Sequence, residues 1–421
     1  MKAAGTFSLN IFGFICFFLA LIAGCSDYDS HKPIASNVPG QEQLHKSEFA
    51  KFVDELKLLP LAQRITFVQK FLIDNPYSPI IEENGIACFY WFGDAKTVFI
   101  NGDIQSGWSA PEDMNMVSCG REKFFYKIYS LPADARVEYQ FIVDNNTITD
   151  SRNPVTTPTG FGLNSQCAMP LFKTKTIRDY RPGIERGTVD SILFESSLTT
   201  MKPRMLKIYK PAGYDSLRNL PALYVNDGFK ALEFSSYINV LDNLIADKMI
   251  KPVIVVFIDF VEGDQTYFLD SISEYITAVC DEMIPLVDSK YRTSESPGNR
   301  VLAGISAGGH ASLTTSLKRP DIFLNSAGQS SAITAELLDA VDRANSNPET
   351  ANELNLYFDV GRFDLVQGRL QNYSFLYANQ LLGKELKKAK INHRFNVYND
   401  GHQWANWRER VDEILIYFFG I

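Results

Sequence analysis

A glycine-rich turn between an apolar run and a helix-forming run constrains this chain most. It is the G-x-S-x-G sequence Gly304-Ile305-Ser306-Ala307-Gly308. Residues 300–303 predict a buried strand, and residues 310–317 predict a helix. A serine on a sharp strand-to-helix turn is exposed at the top of a sheet, where its hydroxyl can act as a nucleophile. A plain glycine-rich turn is the alternative, and these five residues alone do not separate the two.

The sequence around this turn alternates between strand-like and helix-like runs from residue 187 onward. Residues 191–196 and 204–210 predict an antiparallel opening pair of strands. Further strands are predicted at residues 223–226, 253–258, 355–360 and 393–398, and helices at residues 237–248, 275–287, 371–388 and 404–419. This order predicts an α/β fold for residues 178–421, with a doubly wound, mostly parallel sheet.

The preceding part of the chain has a different pattern. Residues 46–76 carry two amphipathic helical stripes and form a helical lead-in. Residues 77–177 show short strands with regular turns, which predict a small β-sandwich. Its aromatic residues Tyr90, Trp91 and Trp108 could form a platform for a sugar. Packing inside the sandwich is the alternative, since aromatic side chains usually pack.

The N-terminus has the features of a targeting segment. Lys2 is followed by the apolar residues 7–23, and residues 21–25 resemble a bacterial lipobox ending at Cys25. We therefore expect residues 1–24 to be a lipoprotein signal peptide, Cys25 to be lipidated and residues 25–45 to be a tether. An ordinary secretory signal or a membrane anchor is the alternative, but the apolar run is short for a spanning helix. The expected location is extracytoplasmic, at the outer membrane or cell surface of a bacterium.

Charge and cysteine content exclude several classes of protein. The net charge is −8 and no long basic run occurs, so a nucleic-acid partner is not expected. Two of the six cysteines, Cys16 and Cys25, fall in or directly after the predicted signal peptide. The others show no C-x-x-C spacing and predict neither a zinc site nor a thioredoxin-like motif. These four cysteines are Cys88, Cys119, Cys167 and Cys280. A disulfide among the first three is one interpretation for an extracytoplasmic chain, and buried free thiols are the alternative.

A serine nucleophile requires a histidine base, and His402 is the best candidate. It lies in the turn after the predicted strand at 393–398, just before the last helix. This places it at the carboxyl end of a parallel strand, on the same rim as Ser306. His393 lies within a strand pattern and His310 within the helix after the turn, so both are better explained as structural residues.

The histidine in turn requires a carboxylate, and Asp364 is the best candidate. In α/β-hydrolases the residues follow in the order serine, acid, histidine. Asp364 lies just past the predicted strand at 355–360, between Ser306 and His402. Asp359 is still inside the strand, and Asp400 is too close to the histidine along the chain to reach its ring easily.

The negative oxygen that forms when a serine attacks a carbonyl requires two backbone N–H donors. Ala307, directly after the serine, is one candidate. Phe229, which follows Asp227 and Gly228 after a buried strand, is the other. A plain tight turn is the alternative for Asp227-Gly228.

Several stretches of the chain, in the order in which the family has them, resemble the esterase family that includes enterochelin esterases, feruloyl and acetylxylan esterases and mycolyltransferases. They lie at residues 209–214, 223–228, 303–309, 319–323, 329–331, 361–364 and 401–408. The resemblance implies an α/β-hydrolase fold. It also implies a triad of Ser306, Asp364 and His402, with the amides of Phe229 and Ala307 as the oxyanion hole. The sandwich resembles the early-set, starch-binding-like (immunoglobulin-like) modules that precede some esterases.

One departure from the family bears on the substrate. Siderophore esterases often carry an arginine just ahead of a Glu-Leu or Glu-Tyr pair. Here the pair is Glu274-Tyr275, and no arginine occurs between Arg218 and Arg292. An iron-bound catecholate is multiply anionic and would need cations. Three residues could replace the missing arginine: Lys230, Arg362 and Arg408.

The sequence thus predicts an extracytoplasmic serine hydrolase of carboxylic esters, enterochelin-esterase-like, that works through an acyl-enzyme without metal or organic cofactor. The substrate is a small-molecule ester such as a siderophore trilactone, or a feruloyl or acetyl-xylan polysaccharide ester. Lys230, Trp404 and Trp407 are candidate substrate contacts. A rival from another class is a glycan-binding surface lipoprotein whose hydrolase fold is an inactive scaffold.

Overall fold

Helices at the start of the described chain lie against one face of a β-sandwich. The computed structural model describes residues 40–105, 107–160, 162–198, 201–261, 272–367 and 373–421. The first helices are α1 (Gln41–Lys46), α2 (Glu48–Leu58) and α3 (Leu61–Asp74). Ser47 starts α2 by accepting a hydrogen bond from the Ala50 N–H at 3.0 Å, a typical helix cap. The predicted signal peptide and Cys25 lie outside the described residues. Within the described ranges, no helix combines the length and apolar character needed to cross a membrane.

The sandwich consists of two antiparallel sheets. Its strands are β1 (Ile80–Glu82), β2 (Ile86–Gly93), β3 (Val98–Gly102), β4 (Glu112–Asp113), β5 (Asn115–Ser118), β6 (Lys123–Ser130), β7 (Arg136–Val143), β8 (Asn146–Ile148), β9 (Thr156–Thr159) and β10 (Gly162–Ala168). One sheet has the order β1-β2-β6-β5. The other has the order β4-β3-β7-β10-β9, with β8 paired to β7. The short strands and turns of the sequence therefore fold as predicted.

Strand β2 is covered on both faces, which explains its continuous apolar sequence. Phe89 faces the second sheet, and its neighbour Tyr90 faces the helices, where it packs with Phe49 of α2. The Tyr90 hydroxyl donates to the carbonyl of Asn75 at 2.8 Å, so both the ring and the hydroxyl have partners inside the protein. Adjacent strand residues point to opposite faces, and the same rule separates Tyr90 from Trp91.

The predicted sugar platform is therefore not formed. Tyr90 is buried beneath the helices, and Trp91 packs against Phe125 with ring centroids 5.8 Å apart. Trp108 lies at the boundary with the α/β part, where its indole N–H donates to Asp103 at 2.7 Å. Packing, the alternative considered for these aromatic residues, describes all three.

The cysteines of the described residues are buried and form no disulfide. Cys88 and Cys119 lie between α2, α3 and the first sheet, and Cys167 lies between the two sheets. Burial raises the pKa of the Cys167 thiol to about 12, so this thiol is protonated and unreactive at neutral pH. Of the two alternatives, the buried free thiol is the one observed.

The α/β part is built on a single large sheet. Its strands are β11 (Thr188–Phe194), β12 (Arg204–Lys210), β13 (Ala222–Val225), β14 (Ile254–Ile258), β15 (Arg300–Ile305), β16 (Asn325–Gln329), β17 (Asn355–Phe363) and β20 (Asn392–Gly401), with a separate short pair β18 (Val366–Gln367) and β19 (Tyr373–Ser374). The order across the large sheet is β11-β12-β14-β13-β15-β16-β17-β20. The pairs β11–β12 and β12–β14 are antiparallel and the following pairs are parallel. This is the mostly parallel, doubly wound sheet that the sequence predicts.

Helices cover both faces of this sheet. They are α4 (Gly228–Phe234), α5 (Tyr237–Ala246), α6 (Ile272–Thr277), α7 (Ile284–Lys290), α8 (Ser306–Lys318), α9 (Ala335–Asn345), α10 (Pro348–Glu353), α11 (Phe375–Lys388), α12 (Trp404–Trp407) and α13 (Val411–Phe419). Tyr224 and Leu302 face one apolar cluster, and Leu223 and Val301 face another on the opposite side. Both faces of the central strands are buried, so their sequences are apolar throughout rather than alternating.

Four predicted helices differ from the observed ones in extent. The helix predicted at residues 371–388 is observed as α11 from Phe375 onward, since Tyr373 and Ser374 form β19 and residues 371–372 lie outside the described residues. The helix after the glycine-rich turn begins at Ser306 itself rather than at residue 310. The helix predicted at 275–287 runs from α6 to α7 through a π-helical segment, Ala278–Met283. The last helix is split by a 3-10 turn, Arg408–Arg410, where the buried Arg410 turns to bind Asp359 and Asp400. This pairing is tertiary, so the local pattern did not reveal the break.

Candidate active site

The glycine-rich turn is a strained junction between β15 and α8. Ser306 has a φ of 50°, in the left-handed region that a non-glycine residue rarely adopts. A Cβ on Gly304 would lie 2.4 Å from the carbonyl carbon of Gly308, so the close approach of strand and helix requires glycine there. The carbonyl of Ser306 accepts from the Ala332 N–H at 3.0 Å. The G-x-S-x-G spacing thus has a direct steric reason.

His402 and Asp364 are joined by a hydrogen bond. His402 Nδ1 lies 2.6 Å from Asp364 Oδ1. Each residue directly follows a strand, Asp364 after β17 and His402 after β20. The imidazole packs edge-on against Phe375 and Trp407, with ring centroids 5.1 and 4.9 Å away. These two aromatic rings fix the plane of the imidazole, and the carboxylate fixes its Nδ1 as the donor.

Asp364 is a buried but ionised carboxylate. Burial by itself would raise its pKa, but the charge and hydrogen bond of His402 outweigh burial. Further hydrogen bonds come from the Ser330 hydroxyl and from the Leu365 N–H, the latter at 2.7 Å. The pKa of Asp364 is therefore below its usual value. Asp364 is therefore a carboxylate at neutral pH.

Ser330 links the residues at the edge of the sheet. It follows β16, which lies between the strands that end at Ser306 and at Asp364. Its hydroxyl accepts from the Trp407 indole N–H at 3.0 Å and donates to Asp364. Ser330 lies within the family-like stretch at residues 329–331, from which no role for it was predicted. Only the three-dimensional order of the strands reveals that it binds Asp364.

The other carboxylates considered as the acid have different partners. Asp359 lies inside β17 with Arg410 Nε at 3.1 Å, and Asp400 binds the same guanidinium. Burial raises the pKa of Asp359 to about 7 in spite of the arginine. Among the three candidates, Asp364 is the one hydrogen-bonded to His402.

The other histidines of the α/β part are structural. His310 is fully buried in α8 beside Thr314, and burial together with the charge of Lys318 lowers its pKa to about 3. It is therefore neutral at all ordinary pH values. His393 lies in β20 with its Nδ1 2.8 Å from the carbonyl of Ile391.

The two candidate oxyanion donors lie at the starts of neighbouring helices. Phe229 is the second residue of α4 and Ala307 the second residue of α8, where backbone N–H groups have no partner within the helix. The strands before them, β13 and β15, pair in parallel with Val225 opposite Ala303. Gly228 packs on β14, since a Cβ there would lie 2.5 Å from Phe257 Cα. The two helix starts are thus held on one edge of the sheet.

Asn226 binds these two turns together, a role that sequence analysis missed. Its Nδ2 donates to the carbonyl of Gly308 at 3.3 Å and to the Ser312 hydroxyl at 3.1 Å. Its Oδ1 accepts from the Tyr275 hydroxyl at 2.6 Å. A polar residue directly after a buried strand was the available signal. Tyr275, noted above only as half of a Glu-Tyr pair, anchors this turn.

Asp227 lies against the glycine-rich turn in an unfavourable environment for a charge. Its φ is 52°, and its Oδ2 would be 3.0 Å from a Cβ on Gly308. Burial raises the pKa of Asp227 to about 7. Between pH 4 and 7 the folded chain therefore holds a proton that the unfolded chain has lost, so this residue makes stability fall as pH rises through that window.

We expect Asp227→Asn to remove this pH dependence. Asparagine tolerates the left-handed backbone, so the variant should match the wild type at pH 4 and be more stable at pH 8. The difference should grow by at most about 1.4 kcal/mol per pH unit between pH 4 and 7. Urea unfolding at several pH values measures this difference in stability.

Asp144→Asn is the matched control, because Asp144 also has a positive φ, 46°. Hydrogen bonds from the Thr97 and Lys96 amides lower the pKa of Asp144, so this variant should lose stability above pH 4. A pH-independent gain for Asp227→Asn would contradict the expectation.

The candidate substrate contacts divide into two groups. Lys230 is exposed, pairs with Glu233 at 3.3 Å and lies over the Phe234 ring. Phe234 faces Trp404 with ring centroids 6.1 Å apart, so Lys230 and Trp404 flank one aromatic surface. Trp407 is 4% exposed and packs edge-on against His402, so it has little surface left for contact with a substrate.

The two arginines considered for an anionic substrate have different surroundings. Arg362 donates to Asn399 at 2.7 Å, and Asn399 donates to Asp134 of the sandwich at 2.7 Å. Arg408 is largely buried beside Glu409, and burial with the nearby Arg178 charge lowers its pKa. Of the three cations proposed from the sequence, Lys230 is the one on an exposed surface next to Trp404.

Comparison with known proteins gives a family. The family model described as "Putative esterase" matches residues 197–418. A Xylanibacter ruminicola protein named endo-1,4-beta-xylanase/feruloyl esterase is 33% identical over 159 residues, which are 34% of this chain and 22% of that protein. This chain therefore spans about a fifth of that relative. Bacillus subtilis YjcH, named as an uncharacterized protein, is 24% identical over 240 residues, which are 55% of this chain and 97% of that protein.

Solved structures show the same fold. The enterobactin esterase FES of Shigella flexneri, solved in the presence of enterobactin, has a TM-score of 0.63 at 21% identity, over 79% of this chain and 92% of that chain. The ferric enterobactin esterase of Salmonella typhimurium has a TM-score of 0.66 at 18% identity, over 83% of this chain and 98% of that chain. These shares exceed what the α/β part alone supplies, so the likeness includes residues before the large sheet.

Proposed function

The chain belongs to this esterase family over residues 197–418, and from that premise we propose that it is a serine hydrolase of carboxylic esters. The observation that carries the proposal is the 2.6 Å hydrogen bond between His402 and Asp364. It lies on the same edge of the sheet as the strained Ser306. A nucleophile, a histidine and an orienting carboxylate in the chain order of α/β-hydrolases favour acyl transfer.

In the proposed reaction, Ser306 Oγ attacks the ester carbonyl while His402 Nε2 takes the hydroxyl proton. Asp364 keeps Nδ1 protonated and supports the imidazolium that forms. The amides of Phe229 and Ala307 donate to the negative oxygen. His402 then gives its proton to the departing alcohol, which leaves an acyl-enzyme. Water then attacks the acyl carbon while His402 takes its proton. His402 passes this proton to Ser306 Oγ as the acyl–serine bond breaks, which releases the acid and restores the serine hydroxyl.

Within this reaction class we favour an aromatic acyl ester of a polysaccharide or small molecule. The aromatic surface of Phe234 and Trp404 suits an aromatic acid, and Lys230 beside it suits a partly anionic one. The relative that is 33% identical over 159 residues is named endo-1,4-beta-xylanase/feruloyl esterase, and the second half of this name supports the choice. An iron-bound catecholate carries several negative charges, and of the three candidate cations Lys230 is the one beside this aromatic surface, which favours a less highly charged acid.

Covalent labelling tests the chemistry without knowledge of the substrate. We expect a fluorophosphonate to add once to the chain, at Ser306, because only an activated serine reacts with it. Intact mass and peptide mapping locate the adduct, and acid release from methyl ferulate, acetyl-xylan and a ferric catecholate siderophore ranks the substrates. A folded chain that neither takes the label nor releases acid would favour the rival, a glycan-binding protein with an inactive hydrolase fold.

We further propose that this activity belongs to the cell envelope. The support is the lipobox-like sequence at residues 21–25 and the polar tether after it. A lipid on Cys25 would hold the protein at the outer membrane or cell surface, where it would meet esters outside the cytoplasm.

A further inference from the structure

The sandwich contacts the α/β part directly beside the acid. The connection between β3 and β4 carries Gly107, with a φ of 60°. A Cβ there would lie 2.6 Å from Leu365 Cα and 3.0 Å from the carbonyl carbon of Asp364. Two residues on, the Ser109 hydroxyl donates to the carbonyl of Val366 at 2.7 Å. The backbone of the acid loop therefore rests on this connection.

The same connection reaches the loop of the histidine. Asp103 is 1% exposed and lies so close to Gly401 that a Cβ on Gly401 would be 2.2 Å from the Asp103 carboxyl carbon. The carboxylate is oriented by the Trp108 indole N–H at 2.7 Å and by the Glu138 N–H at 2.8 Å. Trp108 itself has a φ of 74°, a strained backbone for a bulky residue.

A second path from the sandwich ends at the same glycine. Arg136 is 1% exposed and paired with Glu138 at 3.0 Å. It donates to Asn406 Oδ1 at 2.6 Å, and Asn406 Nδ2 donates to the carbonyl of Gly401 at 2.9 Å. Buried charge-assisted hydrogen bonds of this kind are rigid.

The two parts also share a core. Phe363, the last residue of β17, is 3% exposed and belongs to the apolar core between the two sandwich sheets. It directly precedes Asp364. The acid loop is thus fixed on one side by the sandwich core and on another by the β3–β4 connection.

We propose that the sandwich is a positioning element of the active site, with Asp103, Gly107 and Arg136 as positioning residues that hold the Asp364–His402 pair in register. The inference rests on the proposed function for its catalytic meaning. A displacement of about 1 Å in such a pair can cost roughly 100-fold in rate. The sandwich touches the loops on both sides of the pair, so it can supply that precision.

Gly107→Ala tests the contact with the acid loop in the full chain. The new Cβ would displace Leu365, so kcat for p-nitrophenyl acetate should fall roughly 10- to 100-fold with KM unchanged. Gly120→Ala is the matched control, because Gly120 also has a positive φ, 98°, but a Cβ there meets nothing within 4 Å. The control should keep the wild-type kcat. Equal melting shifts in both variants with an unchanged kcat in both would overturn the proposal.

Asn406→Asp tests the second path with a nearly isosteric change. The carboxylate keeps the contact with Arg136 but cannot donate to the Gly401 carbonyl, so kcat should fall, and the lost buried hydrogen bond should also lower the melting temperature. A rise in KM with an unchanged kcat would overturn the proposal, since it would indicate substrate contact rather than positioning.

A spectroscopic readout keeps this inference separate from the proposed function. The proton between His402 Nδ1 and Asp364 should give a downfield NMR resonance that is absent from His402→Ala. Gly107→Ala and Asn406→Asp should shift or broaden it, and Gly120→Ala should not. If the wild type hydrolyses no ester, the proposed function fails, but this resonance still decides whether the sandwich holds the pair. An unchanged resonance in both variants would overturn the inference.

Discussion

Replacing Ser306 with alanine is expected to lower kcat for p-nitrophenyl esters by about 10³- to 10⁶-fold. The variant keeps the oxyanion donors and the Asp364–His402 pair but has no atom to form the acyl-enzyme. Fluorophosphonate labelling should disappear with the activity. Ser316→Ala is the matched control on the same helix. That buried hydroxyl donates to the carbonyl of Phe323 at 3.1 Å, so its loss should cost about 1 kcal/mol of stability and leave kcat unchanged.

The same position should also reveal stored backbone strain. Alanine at Ser306 keeps the left-handed φ, but glycine adopts it without steric cost. We therefore expect Ser306→Gly to be about 0.5–1 kcal/mol more stable than Ser306→Ala in urea unfolding, with both inactive. Near-normal turnover by Ser306→Ala would show that Ser306 is not the nucleophile. Equal stability of Ser306→Ala and Ser306→Gly would contradict the prediction that the backbone at this position is strained.

Asp364→Asn is expected to lower kcat by roughly 10⁴-fold while KM changes little. The asparagine amide can present an N–H to His402 Nδ1, which stabilises the tautomer that cannot take the serine proton. The wild-type carboxylate has a lowered pKa, so it stabilises the fold above pH 4, and this contribution is lost as pH falls through the folded value. The variant should therefore be less stable than the wild type at pH 7, by an amount that shrinks in acid.

Asp400→Asn is the control that tests the choice of acid. Asp400 lies two residues from the histidine but binds Arg410 rather than the imidazole. Its variant should lose stability, because a buried guanidinium loses part of its partner, and its kcat should exceed that of Asp364→Asn by orders of magnitude. The opposite order of the two kcat values would show that the acid is Asp400.

The sequence predicted the strands and their parallel order well because both faces of the large sheet are buried. Runs such as residues 222–225 and 254–258 are apolar throughout, which is the pattern of parallel strands between helix layers. What local pattern could not predict is which element covers which face. Short strands were expected in residues 77–177, but the covering of β2 by α2 and α3 depends on contacts such as that of Phe49 with Tyr90, far apart in sequence.

The candidate site also contains residues that the sequence pattern predicted and residues that it did not. Ser306, Asp364 and His402 each follow a predicted strand, so their place at one edge of the sheet could be predicted from the order of elements. Asn226 and Ser330 hold these residues through hydrogen bonds across neighbouring strands. Their partners are set by the lateral order of strands, which no single-sequence pattern contains. The burial of Trp407 was missed for the same reason.

The Phe363 side chain, which completes the sandwich core, has a consequence for chimeric esterases. A crossover placed at the predicted boundary between residues 177 and 178 would combine a new sandwich with a Phe363 side chain that fits the core of the original sandwich. It would also separate Asp103 from Gly401 and Arg136 from Asn406. A functional exchange would have to move residues 103–109 and 136 together with residues 363–366 and 401–406. The residues that must be exchanged together are therefore those of the interface, and they come from both sides of the domain boundary that the sequence pattern predicts.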